Sequence, residues 1–313
     1  MSGDLEAHVF DVPMRVRFRR QDRRSGVLLH GPAGWGEFSP FPDYDARACA
    51  PWLAAAREAA TVGWPAPLRQ QIAVNTTVPA VGPDQAHAMT LASGCRTAKV
   101  KVAEPGQTLG DDLARVEAVR AALGPEGRVR VDANAAWSVD EAVTALKALD
   151  EFDLEYAEQP VRSLAEMAAL RRRVDVRLAV DESIRTADDP LHVAGLEAAD
   201  VVVLKVQPLG GVRRCLEVAD ACGLPVVVSS AIETSIGIAA GVALAASLPD
   251  LPFACGLGTV QLLEADVTTD PMLPVEGMLP VRRVEPDLDL VRADAGVTAS
   301  WLERMDAADR AGR

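Results

Sequence analysis

The chain has 313 residues, 49% of them apolar and 25% charged, enough to bury a sizeable core. A formal net charge of −13 argues against a nucleic-acid partner, whose phosphates need a basic face, and against docking on anionic lipid. Five cysteines (49, 95, 215, 222 and 255) form no CxxC pair, which argues against a disulfide framework or a zinc site and fits a reducing cytoplasm.

The first ten residues carry acids where a signal peptide would carry bases and an apolar run. Residues 1–70 predict a hairpin (14–20 with 26–30), a loop over 34–45 and a helix over 46–60. From residue 71 one unit recurs, a short β-branched run followed by a polar turn and a helical stretch. Strands are expected at 71–77, 97–102, 128–132, 154–158, 177–181, 200–206, 225–230 and 253–257. Helical spacing is clear at 113–123, 139–149 and 164–174. Runs such as Val201-Val202-Val203-Leu204 are apolar on successive residues, as a parallel sheet covered on both sides requires. The longest apolar stretch, 236–246, is well short of the ~20 residues that cross a bilayer. Residues 269–313 are rich in Pro and Asp and end in a helix near 300–308. The expected architecture is α/β: a (β/α)7β TIM-like barrel over 71–268, with a small α+β capping domain built from residues 1–70 and 269–313.

In a barrel the functional groups sit at the C-terminal strand ends, and alternate residues point inward. The second strand ends in Lys99-Val100-Lys101, which sends both lysines inward. The third ends in Asp132-Ala133-Asn134, the fourth in Glu158-Gln159, the fifth in Asp181-Glu182. The sixth carries Lys205-Val206-Gln207, the seventh ends in Ser229-Ser230 and the eighth in Gly256. One buried charge at a strand end is often a structural ion pair; six consecutive strands ending in phase are not readily explained that way. Asn134, Gln159 and Gln207 are open to a supporting role through hydrogen bonds.

Asp132, Glu158 and Asp181 come from adjacent strands, with no histidine or thiolate near them. Such a donor set suits a hard cation, Mg²⁺ foremost. Lys99 and Lys101 flank it on one side and Lys205 on the other. A base, a divalent cation and an opposing ammonium suit abstraction of a weakly acidic proton next to a carboxylate. The histidines at 8, 30, 87 and 192 lie away from these ends, on the surface or on helices, which excludes an imidazole acid/base pair.

The motifs at 99–101, 132–134, 158–160, 181–183 and 204–211 resemble the muconate-lactonizing subgroup of the enolase superfamily over nearly the whole chain. Within it, the segments at 34–45 and 229–237 look like the o-succinylbenzoate synthase family of actinobacterial type. The resemblance implies Mg²⁺-dependent dehydration of 2-succinyl-6-hydroxy-2,4-cyclohexadiene-1-carboxylate to 2-succinylbenzoate in menaquinone biosynthesis. It implies that Lys101 removes the α-proton, that Lys205 stabilises the enolate from the other face, and that Lys99 tunes Lys101. It makes Asp132, Glu158 and Asp181 the metal ligands, and places Ser229, Ser230, Gly256 and Asn134 at the substrate. The 34–45 loop would close over the site, with Phe38 and Phe41 as apolar walls or as ordinary cap packing.

The barrel motifs leave N-acylamino acid racemisation, dipeptide epimerisation and muconate cycloisomerisation open. A dipeptide epimerase would carry an acidic pair near the eighth strand, where this chain has residues 256–260, GLGTV. A non-catalytic barrel that only binds ligands predicts damage to a catalytic position, and all three lysines and all three carboxylates are present. The expected partner is a small carboxylate substrate in the cytoplasm; the oligomeric state is not legible.

Overall fold

The computed structural model describes residues 5–18, 21–185, 193 and 195–313. Three antiparallel strands open the chain: β1 (Glu6–Phe18), β2 (Gln21–Gly31) and β3 (Gly34–Phe38). Phe10, Val12 and Met14 alternate along β1 and put one face of this sheet into the core. The register pairs Glu6 with His30 and Phe10 with Gly26, so 26–30 faces 6–10. The hairpin expected between 14–20 and 26–30 therefore exists with a different and longer pairing, and residues 19 and 20 lie outside the described part. Helix α1 (Ala46–Thr61) starts where the Asp45 side chain accepts from Ala48 N at 2.8 Å. It packs so closely on β3 that a Cβ on Gly36 would stand 2.0 Å from the Ala56 carbonyl oxygen. The C-terminal helix, here α8 (Ala295–Ala311), returns to this layer. Trp301 packs edge-on to Phe38, and Arg304 donates to the carbonyls of Pro40, Phe41 and Tyr44.

The second layer is one seven-stranded parallel sheet, in the order β11 (Val226–Ser229), β10 (Val201–Lys205), β9 (Leu178–Val180), β8 (Leu154–Glu158), β7 (Arg128–Asp132), β6 (Thr97–Lys101), β5 (Thr76–Val78). Backbone bonds curl it into a ring. Asn75 N donates to Cys255 O at 2.9 Å, Cys255 N to Ala73 O at 2.7 Å and Gly256 N to Val228 O at 2.8 Å. The eighth strand expected at 253–257 is thus reduced to isolated bridges at Cys255 and Gly256 that close the barrel. The first expected strand, 71–77, splits. β4 (Gln71–Ala73) pairs with β12 (Met278–Pro280) of the C-terminal segment, and only β5 joins the ring.

Helices α2 (Pro83–Ser93), α3 (Leu109–Leu123), α4 (Val139–Leu149), α5 (Leu164–Arg171), α6 (Val212–Cys222) and α7 (Ser235–Ser247) follow the strands around the outside. Three of them in succession open with a reciprocal capping box: Thr108 with Asp111, Ser138 with Glu141, Ser163 with Glu166. Between β9 and β10 the described residues show a one-turn helix, Glu182–Arg185. α7 is buried along nearly its whole length; among the described residues no helix is long and apolar enough to cross a membrane. The barrel interior below the strand ends is filled by Tyr156, Ala179, Val201, Val203 and Val227, with the buried Arg130 guanidinium 4.7 Å over the Tyr156 ring.

Candidate active site

Strand register assembles the site. It places Lys101 beside Asp132 and Asp132 beside Glu158 at one level, and Lys205 beside Ser229, which bridges to Gly256. In the ring β6 and β10 stand four places apart, so Lys101 and Lys205 face each other across the barrel mouth. Asp132, Glu158 and Asp181 line one arc between them, and Ser229 and Gly256 lie on the other.

A cavity of about 870 Å³ opens on this level. Lys99, Lys101, Asp132, Asn134, Lys205, Ser229, Ser230 and Gly256 all reach its wall, and Phe41 closes it from the cap. Glu158 and Asp181 lie just beneath, fully buried. Phe38 is absent from this wall. It sits in the cap core against Trp301, because the sheet alternation that brings Glu37 towards the barrel turns Phe38 away. Phe41 does both jobs open to it: it lines the cavity and packs against Trp52 at 5.9 Å between ring centres.

The lysines carry the electrostatics. Lys99 Nζ donates to Asp132 Oδ2 at 3.0 Å and to Glu158 Oε1 at 2.8 Å; Lys205 Nζ donates to Asp181 Oδ2 at 2.6 Å. Burial opposes the Lys99 charge, but Asp132 and Glu158 outweigh it and hold Lys99 well above the usual lysine range. Burial likewise opposes the Asp132 charge, yet Lys99, Lys101 and Lys205 together hold its carboxyl below the usual range. Glu158 is pushed up to about 7 by burial and by the Asp132 and Asp181 charges, against the pull of Lys99.

Lys101 differs, since its ammonium donates to the neutral amide oxygen of Asn134. Asn134 Nδ2 in turn donates to Glu182 Oε1 at 3.1 Å. Arg115, buried on α3, fixes the Lys101 backbone by donating to its carbonyl at 2.8 Å. Gln159 is structural support, accepting from Asp181 N at 3.0 Å and Ser183 N at 3.2 Å. At Gly256 a Cβ would meet Ser229 Oγ at 2.4 Å, so any larger residue there would have to displace the Ser229 hydroxyl. Ser230 Oγ lies 2.8 Å from Thr259 Oγ1. His8 and His30 lie in the cap sheet and His87 on α2; His192 lies outside the described residues.

Residues with left-handed backbone cluster just past the strand ends: Ala103 (φ 58), Asn134 (φ 43), Ala135 (φ 60), Gln159 (φ 37) and Ile232 (φ 63). Such conformations cost about 1–3 kcal/mol each and persist only where surrounding contacts over-determine them. Ile232, β-branched, is the most strained by type.

The three carboxylates do not close on one point in this arrangement. Among the described residues no group of three acidic, histidine or cysteine side chains is set to hold an ion as it stands; two of the carboxylates share Lys99 and the third takes Lys205. Their chemistry nevertheless fits a hard divalent cation. The donors are all carboxylate oxygens, and Glu158 feels the negative charge of both Asp132 and Asp181.

A profile described as enolase C-terminal domain-like matches residues 83–286, and one described as enolase N-terminal domain-like matches residues 9–60. The chain belongs to the enolase-like family. It is 60% identical over 97% of its length to a Thermobifida fusca protein named o-succinylbenzoate synthase, covering 96% of that protein. It is 50% identical over 96% of its length to a protein of the same name from Mycolicibacterium smegmatis, covering 94% of it. The fold is shared with a dipeptide epimerase from Enterococcus faecalis V583, solved with Mg and a dipeptide. The TM-score is 0.75 at 21% identity, over 90% of this chain and 97% of that one.

Arg24, Glu37, Ser39, Glu233 and Thr234 were not singled out for a role by sequence, and all are fully buried beside the site. Arg24 sits in the charged run Arg23-Arg24 of a hairpin, where nothing distinguishes an inward arginine from a solvated one. Arg130 carried a usable signal: it precedes Asp132 by two in a strand, which sends it into the barrel.

Proposed function

We propose that the chain catalyses the reaction of its named relatives. 2-Succinyl-6-hydroxy-2,4-cyclohexadiene-1-carboxylate loses water to give 2-succinylbenzoate, a carbon–oxygen lyase step in menaquinone biosynthesis. One observation carries the reading: Lys101 and Lys205 open on a single cavity from opposite sides of the barrel mouth, with the carboxylate arc between them.

Asp132, Glu158 and Asp181 would hold a Mg²⁺ ion, which when bound supplies positive charge beside the substrate carboxylate. Lys101 Nζ removes the proton α to that carboxylate. The same ammonium then gives its proton to the departing hydroxyl on the same face. The C–H and C–O bonds break, a ring double bond forms and water leaves, so the base is regenerated. Lys205, opposite, places a fixed positive charge against the negative charge that develops. Lys99 neutralises Asp132 and Glu158. Ser229, Ser230, Asn134, Phe41 and the Gly256 backbone shape the substrate pocket. All five cysteines are buried, and a reducing cytoplasm is the proposed setting. The packing of α8 on α1 and Phe38 supports a cap shared by residues 1–70 and 269–313 around a barrel at 71–268.

The test is an assay of the purified chain with Mg²⁺ on the cyclohexadiene substrate, read by the rise of the aromatic product's ultraviolet absorbance. Turnover that disappears with Lys101→Ala and with Lys205→Ala is the expected result. Loss of α-deuterium from N-acylamino acids without dehydration would overturn the reading in favour of a racemase.

A further inference from the structure

Cap and barrel meet in a buried polar knot that the reaction chemistry does not use. Ser39 Oγ donates to Glu37 Oε1 at 2.6 Å, and accepts from Arg24 Nη2 at 3.1 Å and Gln207 Nε2 at 3.3 Å. Ser39 N donates to Gln207 Oε1 at 3.1 Å. Gln207 stands two residues after Lys205, so this pair ties the start of the 39–45 loop to the end of β10. Glu37 Oε2 accepts from Thr234 N at 3.1 Å, Thr234 Oγ1 at 2.5 Å and Gly237 N at 3.0 Å, at the N-terminus of α7. Arg24 completes the knot by donating to Ile232 O at 2.9 Å, Ala231 O at 3.3 Å and Ser39 O at 2.6 Å. Glu233 Oε2 accepts from Ala231 N at 2.6 Å.

The segment held this way is 231–237, which follows directly on Ser229 and Ser230 and contains the strained Ile232. It has little room to relax: a Cβ on Gly237 would stand 2.5 Å from Glu233 Cβ and 2.9 Å from Glu37 Oε2. Every group that meets the Glu37 carboxylate directly is a donor. We propose that Glu37, with Arg24, is a positioning residue: it locks the 39–45 loop and the 229–237 segment into one wall of the substrate pocket in fixed register with Lys205. The proposal rests on the reaction assigned above. It explains why a carboxylate and a guanidinium are both buried where an apolar seam would otherwise serve.

Ionisation of Glu37 opposes the lock. Burial, and behind it the charge of Glu233, push Glu37 up to about 7; Ser39, Thr234 and Arg24 act the other way. The closed seam therefore binds a proton more tightly than an opened one would, and the lock weakens as pH rises through about 7.

Two measurements on the full-length chain test this. Hydrogen–deuterium exchange of peptides covering 229–237 and 39–45 needs no turnover. Glu37→Gln is expected to speed exchange in both by about tenfold, with no change in strands β6–β8. Steady-state kinetics then separate positioning from mere support. Ser39→Ala and Glu37→Gln are expected to raise KM by about tenfold with kcat within about threefold. A rise in KM as pH increases through about 7 is expected in the wild type and not in Glu37→Gln. Exchange that speeds up with KM unchanged would overturn positioning, as would a Glu37→Gln enzyme that keeps the wild-type pH profile of KM. If Glu37→Gln does not fold, Ser39→Ala decides by the same two readouts. A wild-type chain that fails to dehydrate the substrate sinks the reaction assignment alone, and the exchange data still decide whether the two segments are locked together.

Discussion

Lys101 and Lys205 differ in what holds them. Lys205 donates to the Asp181 carboxylate, whereas Lys101 donates to a neutral amide oxygen. In the proposed reaction these surroundings suit Lys101 to the role of base and Lys205 to that of opposing cation. Lys101→Ala and Lys205→Ala are each expected to lower kcat by at least about a thousandfold, with the thermal unfolding midpoint unchanged within a few degrees. Circular dichroism on the assayed samples checks both halves. Asp181 is expected to act through the cation: Asp181→Asn should weaken Mg²⁺ binding by at least about tenfold in titration calorimetry. Unchanged affinity would remove Asp181 from the ligand set. These residues were legible because each is a polar group inside an otherwise apolar strand, at period two. Glu37, Arg24 and Ser39 were not, because their burial depends on the cap docking against the barrel, which no local pattern encodes.

At the scale of single elements, strands and helices divide the work. The strands carry the polar side chains of the candidate site at their ends, and the helices are held by their caps. Ser138→Ala removes the reciprocal box at the start of α4, and is expected to lower the unfolding free energy by about 1 kcal/mol while leaving kcat unchanged. Urea unfolding and the turnover assay together check this. β7, β8 and α4 were read to the residue, because apolar runs bounded by polar turns and a strong helical period agree there. The eighth strand was over-read. Phe253 and Cys255 look like a strand in sequence, but Phe253 instead turns edge-on to Tyr156 at the barrel floor and only two residues bridge to the neighbours. The β1 pairing was under-read, although the alternation of Phe10, Val12 and Met14 was there to show that the strand begins before residue 14.

On the scale of the whole molecule, the barrel is complete only with the cap seated on it. β4 reaches the C-terminal β12, α8 pins the 40–44 loop through Arg304, and Glu37 crosses from the cap into the barrel. This buried seam gives stability a pH dependence. Glu37 moves from its ordinary 4.5 up to about 7 in the folded chain, so the folded state binds more protons than the unfolded state across that window. Its contribution to stability therefore falls as pH rises from 4.5 to 7. Between about pH 5 and about pH 8 the wild type is expected to lose unfolding free energy relative to Glu37→Gln, whose side chain does not titrate. Urea midpoints at both pH values measure this, and parallel curves for the two chains would contradict it. A crystal structure grown with Mg²⁺ and 2-succinylbenzoate tests the central claim most directly. The account predicts a cation held by Asp132, Glu158 and Asp181, and the product between Lys101 Nζ and Lys205 Nζ on opposite faces of its ring. A cation held by other residues, or a product with both lysines on one face, would contradict it.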